Sequence, residues 1–451
     1  MGAGAWLVIG SILGLIASIK FHAPTFLSDC SMLTYGRVHP AAVNALLYGF
    51  AIQSGLGVLL WIFARLGKTP VVHPFLIGGG GKLWNLGVLI GIGNILRGSG
   101  TGFENLEMPR FAVCILFAAY LLIATLATLT LHSRRERALQ PAQWFLFAAL
   151  LWFPWIYSTA NLLLLKFQVR GVTQALIAWW FSANLVTVWL GLVGIAALFY
   201  LVPKLLNRPL YSTHFALFAF WTLLLFGSWS GVPSGVPMPA WIPSLSAVAT
   251  VMVIIPVLAV LTNLCRTVHG DCAGIKSNPA GRFLKLALPC FLFAALMNLA
   301  GALPGVNPIT NFTWYTVAQS HLQIYGFYAA TIFAVVYYLI PHVAGIDPCP
   351  KFIRLHFYLL TAGVLFLVVP LAIGGIVQGL KLTDPSVAPV DVSKAMLPFL
   401  HIATLGELFI AIGNLLFVLN LVRVGALFAR KQCALYCSSM ACDTKIAEVK
   451  A

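Results

Sequence analysis

His321 sits near the start of an apolar run, Ala318 to Pro341, that carries no charged side chain. An imidazole can bind a metal or move a proton, and keeping one inside a membrane-length segment is costly. His39 stands just before Pro40 at the head of a second apolar run. Taken alone, it reads as an interfacial histidine bonded to a loop. Glu407 is the one carboxylate deep in an apolar stretch, where such a group is paired, protonated or functional. Glu104 and Glu107, in the segment Gly102 to Pro109, could pair with Arg97 or Arg110 or cap the helix that starts at Pro109. The nine cysteines include no CxxC pair, and Cys433, Cys437 and Cys442 lack the spacing of a structural zinc site. Gly78 to Gly81 lacks the Lys-Ser/Thr of a phosphate loop and is expected to form a flexible turn.

These groups must be held by membrane helices. With 60% hydrophobic and 8% charged residues, the chain cannot cover a soluble surface. A span needs about 20 predominantly apolar residues. Twelve stretches qualify, at 4–21, 40–64, 83–97, 110–132, 142–165, 174–203, 212–230, 243–265, 283–303, 314–341, 353–378 and 395–422. The expected architecture is all-α and polytopic, with one transmembrane domain over 1–422 and a short tail, 423–451, expected to be partly irregular. The net charge of +16 is read as a topology signal, not a nucleic-acid footprint. Most of the 27 Lys and Arg residues follow even-numbered spans or lie in the tail, so both termini are expected on the cytoplasmic side. Pro40 suits the first turn of a helix, which puts His39 at the outer mouth of the second span.

Several motifs, in order from about residue 31 to 420, resemble one family. They are Leu33-Thr34-Tyr35-Gly36-Arg37, Phe103-Glu104-Asn105-Leu106-Glu107-Met108-Pro109, Trp179-Trp180 with Asn184, and Val202-Pro203-Lys204 followed by Arg208-Pro209 and Tyr211-Ser212. Phe220-Trp221 with Trp229 and Gly231, Tyr337-Tyr338 with Pro341, and Val377-Gln378-Gly379-Leu380 complete the set. They are similar to subunit I of the cbb3-type haem–copper oxygen reductases, a family that includes the related nitric oxide reductases.

The resemblance implies a low-spin haem b, a high-spin haem b and a copper ion held by six histidines. Imidazole suits both haem iron and copper. In the family's His-x-His, the low-spin ligand falls on His321 and the high-spin ligand on Gln319. The other low-spin ligand falls on Ala42, the copper ligands on Ala183, Pro233 and Ser234, and the copper-linked tyrosine on Gly227. One of six ligands is kept in register. His39, three residues before Ala42, lies close to one helical turn away on the same face.

Function must follow the site and not the fold. The expectation is a degenerate cytochrome c oxidase subunit I-like protein of a prokaryotic inner (cytoplasmic) membrane. It would act as a scaffold or partner for other membrane or cytochrome subunits of a respiratory electron-transfer complex. One haem b between His39 and His321 is possible, with no copper. The competing expectations are an active oxygen or nitric oxide reductase with non-standard ligands, and a transporter, toward which only Glu407 points.

Overall fold

In lipid every backbone N–H and C=O must find its partner within the protein, which leaves helices as the spanning form for a chain of this pattern. The computed structural model describes residues 2–270 and 273–450, with side chains to position 434; Cys437 and Cys442 lie outside the described side chains. Among the described residues, eleven helices are long and apolar enough to cross a membrane. They are α1 (Gly2–Ile19), α2 (Tyr35–Leu66), α3 (Pro74–Arg97), α4 (Arg110–His132), α5 (Pro141–Lys166), α6 (Val172–Leu206), α8 (Trp241–Val268), α9 (Ala280–Ala302), α10 (Trp314–Ala344), α11 (Pro350–Leu382) and α12, whose span covers Pro389–Ala434. Between α6 and α8 lies a shorter apolar helix, α7 (Thr213–Gly227). Its 15 residues make it about 22 Å long at 1.5 Å per residue. With α7 the twelve apolar segments expected from the sequence are all present.

Three boundaries differ from the sequence reading. α3 begins at Pro74, so Gly78 to Gly81 is helix and not a turn. Glycine weakens helices in water, but an apolar surrounding leaves no competing partner for the backbone, and Gly80 packs closely on Ile123. α2 begins at Tyr35, which puts Pro40 inside the helix and not in its first turn. α12 runs without a break past Arg423 to Lys450, where an irregular tail was expected.

The bundle has an inner group. In its most apolar stretch α6 is 94% buried, and α2 and α10 are each 72% buried, whereas no other long helix exceeds 44%. The outer helices turn side chains such as Phe75, Leu89, Trp221, Phe293 and Leu365 outward, as lipid contact allows. All three inner helices also depart from α geometry. Wider π-helical segments occupy Ala45–Ile52 in α2, Asn184–Trp189 in α6 and Leu322–Ala329 in α10, beside a shorter one, Leu162–Lys166, at the end of α5. Such segments concentrate at functional sites.

The Val377-Gln378-Gly379-Leu380 motif fixes α10. Gln378 accepts a hydrogen bond from the Trp314 backbone N–H at 3.0 Å, satisfying one free donor at the start of that helix. A Cβ at Gly375 would sit 2.0 Å from the Tyr315 nitrogen, and one at Gly379 would sit 1.7 Å from the Ile309 oxygen. Only glycine permits this approach.

Candidate functional site

The π-helical segments of the three inner helices meet at one cavity. Leu46 and Leu47 of α2, Val186 and Thr187 of α6, and Ile324 of α10 all line it. Its volume is about 340 Å3, within the usual range for small-molecule and cofactor sites. His39 and His321 also line this cavity, from α2 and α10 respectively. The fold thus brings the two histidines together. Each is braced by an aromatic ring: His39 stacks on Tyr35 at 5.3 Å, and His321 lies parallel to Tyr325 at 5.8 Å. His39, Val43 and Leu46 form the cavity face of α2. Ala42 does not line the cavity, and its backbone carbonyl lies 3.3 Å from the Cβ position of Gly10 in α1.

Of the remaining positions of the expected ligand set, Ala183, Pro233, Ser234 and Gln319 also line the cavity, whereas Gly227 does not. A Cβ on Gly231 would fall 2.1 Å from the Ala183 Cβ, so the loop after α7 closes directly over Ala183. Gly231 has φ +100°, which favours glycine there on backbone grounds as well. Gly227 faces Val188, with 2.8 Å between its Cβ position and a methyl carbon. Ser234 bonds to the side chain of Asn307, whose amide donates to the Gly301 carbonyl at 2.8 Å. Pro233 and Gln319 border the cavity. Among the described residues there is no cluster of three His, Cys, Asp or Glu side chains able to hold a metal ion.

The Trp180 and Asn184 motif secures the loop over Ala183. The Trp180 indole and the Asn184 amide both donate to the Ser228 carbonyl at 3.2 Å, while Trp152 donates to Asn184 Oδ1. Ser228 ends α7, so the wall from Ser230 to Ser234 hangs from α6 through these bonds.

The segment Phe103 to Pro109 closes the cavity from another side. Glu104 and Asn105 line it. Asn105 donates to Ser182 Oγ at 2.6 Å and accepts from the Tyr48 hydroxyl through its carbonyl at 2.7 Å. Glu107 accepts from Asn44 Nδ2 at 2.7 Å. Met108 fills the space beside Gly91. The expected pairing of these acids with Arg97 or Arg110 does not occur: the only ion pair among the described residues is Lys68–Glu136. Nor does either acid cap α4, whose N-terminus has no side-chain cap. The segment is a clasp between α2 and α6. Burial raises the Glu107 pKa to about 7 and pushes Glu104 upward as well.

Sequence reasoning missed Asn307, Asn311 and the clasp. Asn311 lines the cavity with a buried amide nitrogen that has no partner. Two asparagines four residues apart, just before Trp314, were the available signal. His356 is fully buried among Phe283, Phe333 and Phe417 and bonds to the Tyr337 hydroxyl at 3.0 Å.

Imidazole is a donor for haem iron, so His39 and His321 are the residues here that would hold a haem. At positions 183 and 233 the alanine and proline side chains have no donor atoms, and the Ser234 hydroxyl is engaged by Asn307.

Fold and cavity together define a polytopic helical membrane protein with two histidines lining a cavity between its inner helices. The chain belongs to the cytochrome c and quinol oxidase polypeptide I family, whose model matches residues 1–409. It is 25% identical over 389 residues to the cbb3-type cytochrome c oxidase subunit CcoN1 of Stutzerimonas stutzeri, covering 83% of this chain and 81% of that one. It is 24% identical to a cytochrome c oxidase subunit 1 homolog of Agrobacterium tumefaciens, covering 92% of this chain and 80% of the relative. A haem–copper terminal oxidase solved as a dimer shares the fold, with a TM-score of 0.68 and 15% identity over 94% of this chain and 84% of that one.

Proposed function

We propose that this protein is a subunit I-like partner in a respiratory electron-transfer complex that holds one low-spin haem b and builds no copper centre. The observation that carries this reading is that His39 and His321 line one cavity, and that the side chains the same cavity presents at the other expected ligand positions are Ala183, Pro233, Ser234 and Gln319. Bound between two imidazoles, a haem would supply one-electron transfer.

The chain's own residues bind and orient. His39 and His321 would hold the haem, and the rings of Tyr35 and Tyr325 limit their rotation. The Glu104–Glu107 clasp holds α2 against α6 and closes one wall of the cavity. Gln319, a neutral amide, stands in the high-spin ligand position and is a poor axial donor. The reading places the protein in a prokaryotic inner membrane with both termini cytoplasmic, beside other membrane or cytochrome subunits.

Pyridine haemochrome analysis and copper determination on the purified protein test it. The expected result is one haem b per chain, no stoichiometric copper, and loss of the haem in both His39→Ala and His321→Ala. Two haems with bound copper would instead favour an active oxygen or nitric oxide reductase with non-standard ligands. Full haem retention in either variant would reject the ligand pair.

A further inference from the structure

The interface between α1 and α12 carries a file of small and polar residues that the haem reading does not use. The two helices run antiparallel. Gly4 faces Val418, Ser11 accepts from Asn414 Nδ2 at 2.8 Å, and Ser18 Oγ lies 2.7 Å from Thr404 Oγ1. Between the last two pairs, Gly14 faces Glu407, whose Oε2 is 3.7 Å from the glycine's Cβ position. At the end of the interface His22 Nε2 lies 3.2 Å from Thr404 Oγ1, and the His22 ring stacks on His401 at 4.3 Å.

Glu407 is only 5% exposed, and its Oε2 has no hydrogen-bond partner. No cation faces it. From α1 it meets Gly14, flanked by Ser11 and Ser18; Lys20, beyond the helix end, is bonded to the Phe26 carbonyl. α11 brings Gly363, Phe366 and Leu367 to the neighbouring Gly406. α10 brings Tyr325 within electrostatic range. Along α12 the nearest ionisable group is His401. Burying an ionised carboxylate without a counter-charge is very costly, and an intramembrane acid in this position is functional by default.

We propose that Glu407 is a proton-binding site, loaded from the aqueous end of the α1–α12 interface through His22 and Thr404. A proton on His22 Nε2 passes to Thr404 Oγ1 while the threonine's own hydroxyl proton passes to the Glu407 carboxylate. One N–H and one O–H bond break, two O–H bonds form, and His22 is left neutral, to be reprotonated from water. Ser18, bonded to the same hydroxyl, orients it. Thr404 and Glu407 are three residues apart, about one turn of 5.4 Å on one helical face. His22 suits the donor role: burial first and the neighbouring His401 second lower its pKa, so it gives up a proton readily. The site requires no haem, so it stands or falls separately from the function proposed above.

Infrared spectroscopy of the purified full chain in lipid bilayers, with pH titration and exchange into D2O, tests the proposal. The expected wild-type spectrum contains a protonated-carboxyl C=O band that changes with pH and shifts on deuteration. Glu407→Gln should abolish that band, and Glu407→Asp should move it if the amide variant does not assemble. Thr404→Val and His22→Ala should keep the band but slow its deuteration by an order of magnitude or more. A band that survives Glu407→Gln, or one insensitive to both pH and D2O, would overturn the site. Unchanged deuteration in both relay variants would overturn the route.

Discussion

Asn44 donates a hydrogen bond to Glu107 at 2.7 Å and, through the same amide nitrogen, another to the Pro40 carbonyl at 2.8 Å. It thereby couples the clasp over the cavity to the turn of α2 that carries His39.

The coupling makes stability depend on pH. Burial raises the Glu107 pKa from 4.5 to about 7, so the folded state binds its proton more tightly than the unfolded chain. The stabilisation is full below pH 4.5 and is lost as pH rises through about 7, up to about 3 kcal/mol. Thermal unfolding in detergent should show the melting temperature falling between these limits, and Glu107→Gln should flatten that slope. Asn44→Leu removes the donor to a buried acceptor and should cost about 1–3 kcal/mol.

The closure of the loop over Ala183 predicts intolerance at Gly231. Gly231→Ala must relieve a 2.1 Å contact and a φ of +100°. The combined overpacking and backbone strain should destabilise the protein by about 2–5 kcal/mol. Ala183→His should be damaging for the same reason and should bind no copper. Thermal stability and metal content of both variants check this.

Gly375 and Gly379 set the position of α10. A methyl group at either would strike backbone atoms of Tyr315 or Ile309. Gly379→Ala should push the helix start aside and lower the haem content as well as the melting temperature. A change of stability without any change at the His321 site would show that α10 does not depend on this contact.

The Lys68–Glu136 pair, by contrast, is exposed at both ends, with side chains 72% and 43% accessible. Exposed pairs contribute little. Glu136→Gln should alter stability by less than about 1 kcal/mol, as measured by denaturant or thermal unfolding.

The sequence by itself determined the twelve apolar segments, because hydrocarbon admits only backbones that satisfy themselves and apolar runs of that length are visible directly. It also singled out His321, His39 and Glu407, since polar groups stand out against such runs. It misjudged Gly78 to Gly81 and Pro40, because turn and capping preferences measured in water carry less weight where water does not compete. The π-helical segments of the three inner helices left no mark in the sequence; each shifts a helix face by part of a turn, and so decides which side chains reach the cavity. Only the packing of the helices put His39 and not Ala42 on the cavity wall, laid Gly231 over Ala183, and joined Glu107 to Asn44 and not to an arginine. The contacts join residues tens of positions apart and follow no local pattern.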